Sequence, residues 1–129
     1  MILLWANTTR AELWIDGING EPARNIRLFT PLASEPCDAE EWLIRRRYRN
    51  LARDAARALE PFGYYEATFE TSLRFEEECW IAELTVTPGT PVRLRRVDIV
   101  IDGDAQDDPA FLPFLRHTRL ASGEILRHA

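Results

Sequence analysis

The stretch YYEATFETSLRFEEECWIAELTVT, residues 64–87, decides the fold because its apolar and polar side chains alternate on both sides of an acidic turn. From Tyr65 to Phe75 every second side chain is apolar apart from Thr71, and the intervening ones are polar. Three glutamates at 76–78 form the turn, and apolar side chains then return at Trp80, Ala82, Leu84 and Val86. A period of two predicts an antiparallel hairpin with one buried face, whose first strand spans residues 64–75.

A helical period precedes this hairpin. Asp38 and Glu41 have the spacing of a capping box, and the helix dipole favours acids in the first turn, which predicts a helix from about residue 39. Pro61 and Gly63 predict its end. Apolar side chains at spacings of three and four line one face for about five turns, at Ile44, Tyr48, Leu51, Ala55 and Leu59.

A second face of the same helix repeats arginine every four residues, at Arg45, Arg49, Arg53 and Arg57. Glu41 lies one turn before Arg45, so the two are expected to form an ion pair. Two interpretations remain open for this stripe. It is either a solvated face or an anchor for anionic lipid head groups or an acidic partner.

The residues before the long helix predict a strand and a short helix. Residues 12–16, ELWID, form an apolar run that ends at Gly17 and Gly20, as a first strand and turn would. A helix starting near Pro22 follows, with an apolar side at Ile26, Leu28, Phe29 and Leu32. The order β-α-α-β-β indicates an α+β fold in which two helices cover one face of a three-stranded mixed sheet.

The opening pattern returns later in the chain, because Trp14-Ile-Asp-Gly aligns with Val100-Ile-Asp-Gly at an offset of 86 residues. Apolar side chains follow the second copy as they follow the first, at Phe111, Leu112, Phe114 and Leu115. We therefore predict a complete domain at residues 11–89 and a truncated second repeat, the first half of a unit, at 90–129. The strand of that half-repeat, residues 97–103, exposes apolar side chains that a second half would cover. We therefore predict either disorder after about residue 104 or pairing between copies of the chain.

Composition excludes several classes of protein. The chain has 129 residues, 46% of them hydrophobic, which is enough for a folded core, and its net charge of −5 disfavours nucleic-acid binding. No apolar run approaches the roughly 20 residues of a bilayer span. Residues 1–10 are either a signal-peptide remnant or a frayed apolar tail.

No constellation of residues predicts catalysis, a cofactor or a metal site. The serines have no G-x-S-x-G context, and both histidines, His117 and His128, lie outside the complete repeat. Asp102-Gly-Asp104 lacks the remaining spacing of an EF-hand loop and indicates a turn. Cys37 and Cys79 fit either a reduced chain or one disulfide, and their spacing does not decide between these.

A KH-like nucleic-acid-binding domain is the alternative for this order of elements, because Gly17-Ile-Asn-Gly20 is a G-x-x-G tetrapeptide. In a KH module that loop lies between the first two helices. Here it precedes the first helix, and the acidic net charge opposes phosphate binding.

Several landmarks together resemble POTRA domains, the periplasmic repeats that precede outer-membrane β-barrels in the BamA/TamA superfamily. The landmarks are the strand and turn Leu13-Trp-Ile-Asp-Gly-Ile, then Ala58-Leu59 followed by Gly63-Tyr64-Tyr65, and then Trp80 to Pro88-Gly89. The Gly-Tyr-Tyr and Thr-Pro-Gly-x-Pro-Val elements are most similar to the TamA branch.

The resemblance implies a periplasmic region, with no catalytic residues, of an outer-membrane protein that assembles or secretes membrane proteins, including autotransporters. The implied partners are nascent outer-membrane proteins, a TamB-like partner anchored in the inner membrane, and a carboxy-terminal membrane β-barrel of the same full-length chain. A BamA-like or two-partner-secretion transporter is the alternative within the superfamily.

The resemblance also implies roles for particular residues. A periplasmic location implies a disulfide between Cys37 and Cys79, and Trp80 is expected in the core rather than as an exposed client anchor. The related sheet order places the second hairpin strand centrally and the first one at an edge, where a client could add a strand. The other interpretation is an ordinary edge that binds nothing. The candidate binding residues on the solvated face of the edge strand are Tyr64, Glu66, Thr68, Glu70 and Ser72.

Overall fold

The computed structural model describes residues 11–113 and 120–127. The main elements follow one another as β1 (Glu12–Asp16), α1 (Gly20–Phe29), α2 (Glu41–Arg49), α3 (Leu51–Leu59), β2 (Thr68–Glu76) and β3 (Cys79–Thr87). Short 3-10 turns lie at Pro31–Ser34, Glu60–Phe62, Gly103–Ala105 and Pro109–Phe111. Strand, helices and hairpin come in the predicted order, which confirms the α+β fold.

The three strands form one mixed sheet in the order β1-β3-β2. β1 runs parallel to β3, with Leu13 opposite Ala82, and β2 runs antiparallel to β3, with Leu73 opposite the same alanine. The second hairpin strand is therefore central, as expected, and β1 and β2 are the two outer strands.

The core is a single layer between the helices and one face of this sheet. Trp80 is 1% exposed, and its indole N–H donates to the carbonyl of Pro36 at 3.2 Å, which confirms its predicted place in the core. The sheet contributes Leu13, Ala82, Leu84 and Val86, and the helical layer contributes Ile26, Leu32, Ile44, Leu51, Ala55, Ala58 and Leu59.

The long helix differs from its prediction at both its start and its middle. It begins at Glu41, and Glu40 occupies the N-cap position without a side-chain cap, so the capping box from Asp38 was wrong. Residues 36–39 instead form a turn, in which the Ala39 N–H donates to the Pro36 carbonyl at 3.2 Å. The helix is also interrupted at Asn50, where ψ is −6°. Asparagine weakens a helix interior because its side chain competes for backbone groups.

The first hairpin strand is shorter than predicted, because it starts at Thr68 rather than Tyr64. Thr68 lies opposite Thr87, the last residue of β3, so the pairing of β2 with β3 does not extend to the preceding residues. Within that segment Tyr64 packs against the core and Tyr65 is exposed, the reverse of the predicted alternation. Further along, Phe69 and Leu73 belong to the apolar side of the predicted alternation, and both pack against the core.

The hairpin turn consists of Glu77 and Glu78, because the last pair of the ladder joins Glu76 to Cys79. Both turn residues have positive φ, 49° and 61°. This is the backbone of a type I′ turn, which matches the twist of the strands and which Asn-Gly adopts most readily. Each left-handed residue other than glycine costs roughly 1 kcal/mol.

The residues after β3 do not form the strand that was predicted at 97–103. A β-strand requires backbone hydrogen bonds to a neighbouring strand. None of the described residues forms such a strand pair with residues 97–102. Instead, Arg93 and Ile125 form an isolated antiparallel β-bridge. Beside it, the Leu126 N–H donates to the Val92 carbonyl at 2.8 Å. The half-repeat at 90–129 stays a prediction. The proposed tail at 1–10, both histidines, Phe114 and Leu115 lie outside the described residues.

The residues around this β-bridge contact the domain at Gly63. The Gly63 carbonyl accepts from the Val92 N–H at 2.8 Å, and a Cβ on this glycine would lie 2.6 Å from the Leu126 carbonyl oxygen. Gly63 also has φ +85°, which other residues rarely adopt. Only glycine therefore suits this contact between the domain and the segment after it.

A disulfide joins Cys37 to Cys79, with the two α carbons 4.4 Å apart. It fixes the connection between α1 and α2 to the start of β3, where Trp80 bonds to Pro36. The bond links residues 42 positions apart, and closing a loop of that length contributes about 4 kcal/mol in the chain-entropy model.

We expect Cys37→Ala/Cys79→Ala to lower the melting temperature by more than about 15 °C, because the unfolded chain regains the loop-closure entropy. Thermal unfolding followed by circular dichroism measures this. A reductant should lower the melting temperature of the unsubstituted chain to a similar degree and leave the variant unchanged. Equal melting temperatures for the two proteins would contradict the stabilising role of the bond.

We expect Glu77→Asn/Glu78→Gly to stabilise the domain by about 1–2 kcal/mol, because both positions have positive φ and Asn-Gly adopts it at lower cost. Chemical denaturation at constant ionic strength measures the free energy of unfolding. The control is Glu77→Gln/Glu78→Gln, which removes the same two charges and keeps the backbone preference. An equal gain in both variants would assign the effect to charge instead of the turn.

Candidate functional site

The topology leaves β2 with an unpaired outer side, called here the β2 edge (Thr68–Glu76). In an antiparallel strand the N–H and C=O groups of alternate residues point away from the neighbour. No backbone hydrogen bond from the described residues reaches that outer side. The strand has nine residues, longer than the usual five or six, so it offers an extended row of donors and acceptors.

The other outer strand, β1, is less available. It has five residues, and the Leu13 carbonyl already accepts a hydrogen bond from the Arg27 guanidinium at 2.8 Å. After it, Gly17 has φ +86°, and a Cβ there would clash with the Val86 carbonyl oxygen. The first glycine of the G-x-x-G tetrapeptide is therefore required for packing at the strand end, and the tetrapeptide lies between β1 and the start of α1 rather than between two helices.

The structure separates the five predicted binding residues into two groups. Thr68, Glu70 and Ser72 lie on β2 and share the face that points away from the helices. Tyr64 and Glu66 precede the strand and do not belong to its ladder. The β2 edge thus begins four residues later than the sequence indicated.

Charged side chains link β2 to β3 across the open face of the sheet. Arg74 donates to Glu83 at 2.7 Å and to Glu76 at 3.0 Å, and the bond to Glu83 raises the pKa of this arginine above its usual value. The Ser72 hydroxyl donates to the same Glu83 at 3.5 Å. Charges beside an exposed edge discourage indiscriminate sheet-to-sheet association.

Two contacts hold the opposite face of β2 under α2. The hydroxyls of Tyr48 and Thr71 share a hydrogen bond of 2.9 Å. The Arg45 guanidinium lies 5.0 Å from the centre of the Phe75 ring, a cation–π contact. Phe75 is 39% exposed, so an apolar surface lies next to the edge on the side of the helices.

The edge therefore presents different surroundings to the two faces of an added strand. On the open face the neighbours are polar and charged, namely Glu70, Ser72 and Arg74. On the helical face they include Phe75 and the stem of Arg45. Arg74 is one of the polar residues that alternate with apolar ones in this strand. The alternation alone assigns it no role, because its contact with Glu83 depends on the register between β2 and β3.

The described residues contain neither a membrane-spanning helix nor a cluster of metal-ligating side chains. No helix within residues 11–113 and 120–127 has the length and apolar character to cross a bilayer. In the same ranges, no three His, Cys, Asp or Glu side chains come together in a group that could hold a metal ion.

The described fold can be compared with known protein families. The family model described as POTRA domain TamA domain 1 matches residues 12–88. These residues run from the start of β1 to just past the end of β3, so the match includes the whole sheet and all three helices.

Proposed function

Because the chain belongs to the family of TamA-type POTRA domains, we propose that it binds client or partner chains at the β2 edge during outer-membrane protein assembly. POTRA domains are non-catalytic protein-interaction modules, and those of TamA are periplasmic parts of outer-membrane proteins. The proposed location is accordingly the periplasm, with attachment to the outer membrane through the full-length protein.

The unpaired outer side of β2 is the observation that carries this proposal. An extended peptide can add to a sheet edge through main-chain hydrogen bonds, which give affinity that is independent of sequence. Side-chain surroundings then provide selectivity. Because Arg27 already occupies an acceptor on β1, the β2 edge is the better candidate of the two.

The two faces of the edge favour a client whose side chains alternate. An added strand would place one set beside Glu70, Ser72 and Arg74, and the other set beside Phe75. Strands of outer-membrane barrels alternate between polar and apolar side chains in this way. Nascent outer-membrane proteins, including autotransporters, are therefore the proposed clients, and a TamB-like chain is a further candidate partner.

A peptide of alternating polar and apolar residues tests this proposal by amide chemical-shift mapping. We expect the shift changes to concentrate along Thr68–Glu76, with little change at Glu12–Asp16. Changes centred on β1, or none on either strand, would overturn the assignment of the edge.

The matched control is the same peptide with its inner backbone nitrogens methylated, which keeps the side chains and removes the donors. Each backbone hydrogen bond contributes about 1 kcal/mol net, so losing two donors alone should weaken binding about 30-fold. Equal binding by both peptides would show that side-chain contacts, and not strand addition, hold the client.

A further inference from the structure

The solvent-exposed side of α2 and α3 carries an unusual set of residues, called here the basic face. It combines one tryptophan with five arginines, namely Trp42, Arg45, Arg46, Arg49, Arg53 and Arg57. Trp42 is 61% exposed, although indole rings are usually well buried in folded domains. None of these side chains belongs to the core, and only Arg45 contacts the β2 edge, through Phe75.

The spacing of these residues places them on one side of the helices. Trp42, Arg46, Arg49 and Arg53 follow one another at intervals of four, three and four, which is the spacing of neighbours on a helix surface. All of them are exposed, whereas Ile44, Leu51 and Ala55 on the opposite side are fully buried. The interruption at Asn50 therefore does not turn the second half of the face inward.

Most of the positive charge on this face is uncompensated. Arg45 pairs with Glu41 at 2.6 Å, as the sequence predicted, and the Arg53 guanidinium lies 3.6 Å from Asp54. Among the described residues, no carboxylate forms an ion pair with Arg46, Arg49 or Arg57. These three cations thus have no ion-pair partner in residues 11–113 and 120–127, although the net charge of the chain is −5.

The opposite surface of the domain has the opposite sign. The open face of the sheet carries five carboxylates and one guanidinium, namely Glu12, Asp16, Glu70, Glu76, Glu83 and Arg74. The domain is thus polarised from an acidic sheet face to a basic helical face, so an anionic surface would attract it in one orientation.

We propose that the basic face docks on the surface of an anionic phospholipid bilayer. Guanidinium groups bind phosphate oxygens through paired hydrogen bonds, and an indole is stabilised at the lipid head-group level, where its ring is covered and its N–H is solvated. An acidic polypeptide could also neutralise the arginines and cover Trp42, and the experiment below distinguishes the two partners. TamA-type POTRA domains are periplasmic parts of outer-membrane proteins, so they share a compartment with phospholipid surfaces.

Vesicle co-sedimentation of the 129-residue chain tests the proposal. We expect binding to vesicles of equimolar phosphatidylglycerol and phosphatidylcholine at low ionic strength, weaker binding as salt is added, and none to phosphatidylcholine alone. Arg46→Gln/Arg49→Gln/Arg57→Gln should lower the partition coefficient about 100-fold, since each basic residue near an anionic surface contributes about fivefold.

The matched control is Arg24→Gln/Arg95→Gln/Arg96→Gln, which removes the same charge from exposed positions outside the basic face. It should retain vesicle binding, and circular dichroism should show that both variants fold. Trp42→Ala should weaken binding several-fold and remove a blue shift of tryptophan fluorescence that the unsubstituted chain shows with anionic vesicles.

Three outcomes would overturn the proposal. The first is absence of binding to anionic vesicles, and the second is an equal loss of binding in the control. The third is binding to polyglutamate with none to vesicles, which would assign the basic face to an acidic protein partner.

Discussion

The structure depends on the central strand β3 and on the burial of its inward side chains under the helices. Trp80, Ala82, Leu84 and Val86 fill the layer between sheet and helices, and every other element is placed relative to them. β1 and β2 each take their register from this strand. A disulfide and an indole hydrogen bond then fix the connection between α1 and α2 to its first two residues. Because β3 lies between two partners, both outer strands are edges.

Up to the end of β3, periodicity was sufficient to predict the strands, the helical segments and their order. The alternation in residues 64–87 gave the hairpin, and the spacing of Ile44, Leu51 and Ala55 gave the buried helical face. Where the prediction failed, the cause lay in contacts between distant residues. The start of β2 is set by the end of β3, and the start of α2 follows a turn next to the disulfide. The break at Asn50 was visible only as a weak helix former within an otherwise regular pattern.

The sequence predicted the strand that forms the candidate site, but not the side-chain contacts around that strand. Solvated positions such as Glu70 and Ser72 could be read from the alternation alone. Three features needed the three-dimensional register: Arg74 between two carboxylates, the contact of Arg45 with Phe75, and the hydrogen bond from Arg27 to β1. The last of these explains why the two edges are not equivalent. Arg27 from α1 hydrogen-bonds one carbonyl of β1, whereas no backbone hydrogen bond from the described residues reaches the outer side of β2.

The contact at Gly63 has a consequence for any larger assembly that contains this domain. The segment after β3 rests on the domain through main-chain atoms, with Val92 and Leu126 approaching the glycine directly. Substitution of exposed side chains elsewhere on the domain leaves these main-chain contacts in place. A protein built from such units could diversify its exterior over evolution while keeping a constant bend at this joint, provided that this one position never acquires a side chain.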